Sequence, residues 1–446
     1  MKTLIHHATI VNEGRCEKAD LIVAGNYIQE IILSPSDETP GGGFDKIVNA
    51  EGLFLLPGVI DEHVHFREPG LTQKADIETE SAAAAAGGVT SYFDMPNTLP
   101  TTTTLVTWEE KMYLGRKSHV NYAFFPGATN RNIDEILSIP PSSIPGIKLF
   151  MGSSTGGMLV EGTQSLSPIF SRAGSLPVMT HCEDTTIINQ RAQEVRDRIG
   201  AKANVRYHSY IRNEACCMAS TRKAISLAQQ YGTRLHIAHV STAAELELIA
   251  LAGARITAEA CLAHLLFCED DYARLGALIK CNPSIKTHFD RETLRKGLSD
   301  GRILTVATDH APHLCSEKAG GCFEAASGMP MVQFSLPAML SLTDEGVITL
   351  PRVVELMCHA PARLFGVKER GFIRKDYLAD FVLVKHEPMT ILPDIILSKC
   401  GWSPLLGETL KWKVISTFCN GHLIYNHHTG VNTRYHGQAI TFDHCD

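Results

Sequence analysis

The chain opens on short alternations of apolar and polar residues, and near residue 55 this rhythm gives way to a longer one. Stretches 3–11, 18–23, 27–33 and 46–49 alternate as half-buried strands do, punctuated by Ala24-Gly25-Asn26 and Gly41-Gly42-Gly43. Residues 379–384, 411–419 and 422–425 behave alike, with Asn420-Gly421 as a hairpin turn. Two β-rich ends predict a small β-sandwich domain built from both termini, residues 1–54 plus 366–446. In between, apolar runs of strand length alternate with helix-length segments such as 75–86, 213–231 and 243–251. The runs number eight: 56–65, 90–95, 120–126, 144–151, 176–181, 234–239, 255–260 and 303–309. Eight strand–helix repeats predict an α/β fold, a TIM (β/α)8 barrel over residues 55–365.

Polar residues fall where these runs stop. His63 and His65, Asn97, Lys148, His181, His239 and Asp309 all stand at run ends, and barrel chemistry sits at the C-terminal ends of strands. On a strand, His63 and His65 project to one face, so both imidazoles can reach one ion. Alone, such a pair also describes two core or solvated histidines. His181 and His239 each read equally well as structural residues, but together the four supply nitrogen ligands of the kind zinc prefers. Asp309 adds a carboxylate, or caps the helix that follows. Lys148, between Ile147 and Leu149-Phe150, would bury an ammonium at a cost of several kcal/mol unless it is neutralised or snorkels to the surface.

Composition narrows the class. At 446 residues with 44% hydrophobic and 20% charged positions, the chain can build a full core without metal or disulfide staples. A net charge of −7 with no basic block argues against nucleic acid. No apolar stretch reaches the ~18 residues of a membrane span, and the first residues lack a signal peptide's apolar run. The 13 cysteines are scattered without CxxC pairs and read as reduced thiols. The expectation is a cytoplasmic protein with a small-molecule substrate and neither nucleic acid nor membrane as partner.

The segment PGVIDEHVHFREPG, residues 57–70, resembles the first-strand signature of the amidohydrolase superfamily. Its HxHxREPG form is similar to that of dihydroorotases, within the cyclic-amidase branch. The resemblance covers nearly the whole chain. It implies two Zn2+ per subunit, one held by His63, His65, Lys148 and Asp309, the other by Lys148, His181 and His239, with Lys148 carboxylated as the bridge. Manganese or cobalt suits the same donors. It further implies that Arg67, Asn97 in DMPNT and His313 in TDHAPH receive a substrate carboxylate, an anion that a guanidinium matches bidentately. Asn282 in KCNPSIK would position the ring, although Ser284 stands where the family's second proline usually does. Loop 315–330, with SGMP, would be a lid or ring contact. His264 in ITAEACLAH would be an outer support of the site or a plain helix-start histidine. The implied activity is reversible hydrolysis of L-dihydroorotate to N-carbamoyl-L-aspartate in pyrimidine biosynthesis, by a homodimer. A metal-bridging hydroxide would attack, with Asp309 as general base and then acid. Competing readings are an allantoinase or hydantoinase-like amidase, against which Arg67 weighs, and an inactive scaffold, against which the complete ligand set weighs.

Overall fold

Eight parallel strands close on themselves in a computed structural model that describes residues 1–35, 40–152 and 158–444. They are β1 (Val59–Val64), β2 (Val89–Asp94), β3 (Asn121–Phe124), β4 (Ile147–Phe150), β5 (Val178–His181), β6 (Leu235–Ile237), β7 (Ile256–Cys261) and β8 (Thr305–Ala307). β1 to β3 pair in order, as do β4 to β8. Two seams complete the ring at residues of the expected site. Lys148 N–H donates to Pro126 O at 3.0 Å and its carbonyl accepts from Ala128 N at 2.8 Å, joining β4 to the end of β3. His65 N–H donates to His310 O at 2.7 Å and joins β1 to the end of β8. Of the stretch 151–160, which contains no acid, residues 153–157 lie outside the described part.

The helices begin where their sequence signals put them. Ile77–Ala86 is capped by Asp76, whose side chain accepts from Thr79 N. Glu214–Tyr231 is capped by Asn213 and ends at Gly232, whose φ of +70° suits a residue without Cβ. Ala243–Ala250 is capped by Thr242. The described cysteines are unpaired and mostly buried.

The run over 56–65 does not form one strand. Phe54–Pro57 belongs to a nine-stranded sheet made by both ends of the chain, and the barrel begins only after Gly58. A Cβ at Gly58 would lie 2.1 Å from Thr90 Oγ1, so glycine permits the close passage from one sheet to the other. Phe54–Pro57 runs parallel to Lys2–Asn12 on one side and antiparallel to Phe381–Thr390 on the other. Thr409–Cys419 and His422–Asn426 extend the sheet through a two-residue turn in which Asn420 (φ +48°) and Gly421 (φ +75°) are both left-handed. Its core packs Ile5, Leu21, Leu55, Phe381 and Phe418 together.

One buried ion pair fixes the rim of the barrel. Asp94, the last residue of β2, lies 2.8 Å from Lys111 Nζ, and neither side chain is exposed. Asp94 Oδ1 also accepts from Phe66 N at 2.9 Å, holding the turn that follows His65. Lys111 Nζ donates to Met95 O at 2.7 Å, next to the loop carrying Asn97. Removing one partner of a buried pair strands the other charge, at about 3–5 kcal/mol. Lys111→Met is therefore expected to lower the midpoint of urea unfolding clearly, and an unchanged midpoint would show that the pair does not bear on stability.

Candidate metal centre

All six expected ligands converge at one end of the barrel. His65 Nε2 lies 3.0 Å and His63 Nε2 3.5 Å from Asp309 Oδ1. Lys148 Nζ lies 3.5 Å from His63 Nε2. Across the site, His181 Nδ1 is 2.9 Å from His239 Nε2, and the His63 and His239 rings are 5.3 Å apart. Lys148 is wholly buried, so the surface-lysine reading does not hold. His239 (φ +38°) and Asp309 (φ +47°) sit just past their strands, and Arg67 (φ +68°) just past β1. Non-glycine residues adopt this region at a cost, which concentrates at ligand-presenting turns.

The nitrogens turned away from the centre are largely tied down. His63 Nδ1 donates to Glu259 Oε1 at 2.8 Å. His65 Nδ1 donates to Asn97 Oδ1 at 2.7 Å. His181 Nε2 faces Glu183 Oε2 at 3.0 Å, and Glu183 is itself paired with Arg212. The hydrogen bonds to Glu259 and Asn97 fix the tautomers of His63 and His65, and Nε2 of these two rings and Nδ1 of His181 are the atoms turned toward the centre. Glu259 Oε1 also accepts from His239 N at 2.8 Å, so one carboxylate braces two ligand strands.

Electrostatics favour the ligand forms. Burial, with Lys148 beside it, drives the His63 pKa well below its usual value. Burial lowers His65 and His239 as well, so these rings are neutral, as metal ligands must be. Burial works against the Asp309 carboxylate, but His63, His65 and Lys148 around it outweigh burial and hold its pKa below the usual range, the Lys148 ammonium remaining as a positive charge once the two rings are neutral. Burial also brings the Lys148 amine down to about 8. Neutral imidazoles, a carboxylate and a lysine close to neutrality fit a divalent metal. The Nε2 atoms of His63 and His65 and an oxygen of Asp309 would take one ion, and the bare nitrogens of His181 and His239 a second.

The same pocket is lined by Arg67, Asn97, Phe150, Asn282, Ser327 and Gly328. Arg67 Nε donates to Pro312 O at 3.0 Å, and its Nη2 lies 3.1 Å from His313 Nε2. The alternative for Arg67, a structural salt bridge to Glu68 or Glu62, is not the arrangement adopted, since Glu68 pairs with Lys117 at 2.6 Å and neither Glu62 oxygen has a hydrogen-bond partner among the described residues. Asn97 uses its carbonyl to hold His65, a task beyond the substrate contact expected of its NH2 group. Asn282 Oδ1 accepts from His208 Nε2 at 3.1 Å, and buried His264 donates to Pro283 O at 3.0 Å, supporting that turn. Loop 315–330 is pinned by Lys318, whose ammonium donates to Lys280 O, Ala326 O and Gly328 O at 3.0, 2.8 and 2.7 Å.

Sequence reasoning missed Glu183, Glu259, Lys74 and Lys318. Glu259 carried a signal, being a carboxylate inside the apolar run of β7, which cannot stay unpaired. Glu183, two residues past His181, carried the same one more faintly.

A sequence profile of the Amidohydrolase family matches residues 54–424. A dihydroorotase of Methanosarcina mazei is 33% identical over 380 residues, covering 81% of this chain and 82% of that protein. An allantoinase of Bacillus velezensis is 30% identical over 437 residues, covering 95% of this chain and 93% of that protein. Among solved structures, the L-hydantoinase (dihydropyrimidinase) from Arthrobacter aurescens superposes with a TM-score of 0.91 at 26% identity, covering 98% of this chain and 99% of that one.

Two outcomes test the site. Loss of an outer partner of a ligand costs about 10- to 100-fold in metal affinity. Glu259→Ala should show this in competition with a chromogenic chelator, and Glu259→Gln, which keeps an acceptor, should lose less. Equal affinity in all three proteins would remove Glu259 from the site's support. The second concerns Lys318, whose ammonium burial pushes down to about 7, with Lys280 adding repulsion. The unfolded chain holds that proton up to about pH 10, so below about pH 7 the folded state bears the whole cost of burying the charge. That cost falls as pH rises toward 10, and Lys318 makes stability climb with pH across this window. Lys318→Met should flatten the climb in thermal midpoint, and an unaltered slope would contradict the assignment.

Proposed function

Because this chain belongs to the amidohydrolase family and carries an arginine–histidine pair at the end of the pocket beyond its metal ligands, we propose that it is a dihydroorotase. The observation that carries the reading is the placement of Arg67 and His313 3.1 Å apart. A carboxylate on the substrate ring would satisfy both, and hydantoin and dihydrouracil rings lack one. The reaction is reversible hydrolysis of L-dihydroorotate to N-carbamoyl-L-aspartate, serving pyrimidine biosynthesis in the cytoplasm.

When bound, the metal pair, zinc by the donor types, supplies Lewis acidity toward the ring carbonyl and a nucleophile at neutral pH. Lys148 prepares its own role. With a pKa of about 8, an appreciable share of its amine is neutral and can attack CO2. An N–C bond forms, the amine loses a proton, and a site that would otherwise hold a buried ammonium holds an anionic carbamate whose oxygens would serve as metal donors. Asp309 Oδ1 points at His63 and His65, which leaves Oδ2 to take the proton from the attacking water and deliver it to the departing ring nitrogen. Arg67, Asn97 and His313 hold the carboxylate remote from the reacting bond, and Asn282 steadies the ring, so that binding energy becomes orientation.

Allantoin hydrolysis is the second reading, favoured by the long alignment with the Bacillus velezensis allantoinase. Metal-replete protein assayed in parallel on dihydroorotate, dihydrouracil, hydantoin and allantoin separates the two. Turnover of dihydroorotate alone is expected, and turnover of an uncarboxylated ring in its place would refute the substrate assignment. Arg67→Ala should act mainly on KM, whereas Asp309→Asn should cut kcat by about 100-fold or more. Near-normal turnover by the latter would end the proton-transfer role.

A further inference from the structure

Behind Arg67 and His313 stands an ammonium that none of the roles above uses. Lys74 Nζ lies 3.1 Å from His313 Nδ1 and 2.7 Å from Glu317 Oε1. An ammonium offers only hydrogens, so Nδ1 must accept, and the single proton of a neutral imidazole then resides on Nε2. The ring is neutral, because burial, followed by Arg67, Lys74 and Lys318, brings its pKa down to about 2. Nε2 has an acceptor in Ser327 O at 3.1 Å and faces the Arg67 Nη2 donor at the same distance. Two N–H groups at this distance cannot satisfy each other, and an anionic oxygen set against both would accept from the pair.

Glu317 would impose the opposite state. Its Oε2 lies 3.5 Å from His313 Nδ1, so without Lys74 it draws the proton to Nδ1. Nε2 would then present a lone pair, accept from Arg67 and repel an incoming carboxylate. Lys74 neutralises Glu317 and occupies Nδ1 in one stroke.

We propose that Lys74 is a positioning residue that holds His313 as the Nε2–H tautomer and thereby makes this end of the pocket selective for carboxylated rings. The selectivity rests on the dihydroorotase reading, whereas the tautomer does not.

The test uses the full-length, metal-loaded protein with 15N-labelled histidine, the His313 signals being assigned by their loss in His313→Gln. Wild type should show a protonated Nε2 and a bare Nδ1. Lys74→Met should move the proton to Nδ1, and adding Glu317→Gln should reverse that move. Lys74→Arg, which still donates, should keep the wild-type pattern. In kinetics, Lys74→Met should raise KM for dihydroorotate about 10- to 100-fold, the worth of one hydrogen bond to a charged group, with the loss falling on KM rather than kcat. A wild-type His313 protonated at Nδ1 overturns the proposal, and so does a Lys74→Met protein with unchanged tautomer and KM. That wild-type measurement stands even if Lys74→Met fails to fold. If the protein turns over only uncarboxylated rings, the substrate reading and the selectivity fall, while the nitrogen signals still decide whether Lys74 sets the tautomer.

Discussion

Glu259 accepts hydrogen bonds from the His63 ring and the His239 backbone at once, and the rest of the site is arranged around that carboxylate. It stands on β7, whereas its two partners stand on β1 and just beyond β6, so the bond requires a closed barrel. A buried charge without such partners would cost several kcal/mol. The same requirement recurs outward. Glu183 faces His181 and is paired with Arg212, and Asp94 holds Phe66 and is paired with Lys111. The candidate ligands are therefore placed by a shell of buried carboxylates, each satisfied by hydrogen bonds or by a cation.

The pocket is polar in the electrical sense. One end collects imidazoles and the Asp309 carboxylate, and the other collects Arg67, Lys74 and Lys318. Both ends originate in one short segment, since His63 lies on β1 and His65 and Arg67 follow just past its end, Arg67 with a left-handed backbone. The distance between the two ends is therefore set by the end of β1 and by the turn after it, which Asp94 holds through Phe66 N.

The barrel and the clustering of the candidate ligands were legible because each depends on local pattern. Apolar runs ending in histidine or aspartate mark strand ends whatever the rest of the chain does, and Lys148, second in β4, stands out by its apolar neighbours instead. The outer shell was not legible, because the pairing of Glu259 with His63, or of Lys74 with His313 and Glu317, exists only once distant strands meet. The double task of Asn97 was hidden for the same reason. The break at Gly58 was missed because an apolar run looks alike whether it serves one sheet or two, and only the approach of Thr90 shows why the chain must turn there.

The strand Phe54–Pro57 has a consequence for how the molecule comes into being. It lies in the interior of its sheet, yet its neighbour Phe381–Thr390 is near the opposite end of the chain. On the ribosome, the hydrogen-bonding edge of Phe54–Pro57 emerges early and waits through synthesis of the entire barrel for its partner. Throughout that interval it is an open edge, the kind of surface that invites pairing with other chains. The late arrival of Phe381–Thr390 thus acts as a closing stitch, protecting the nascent protein from self-association as well as completing its sheet.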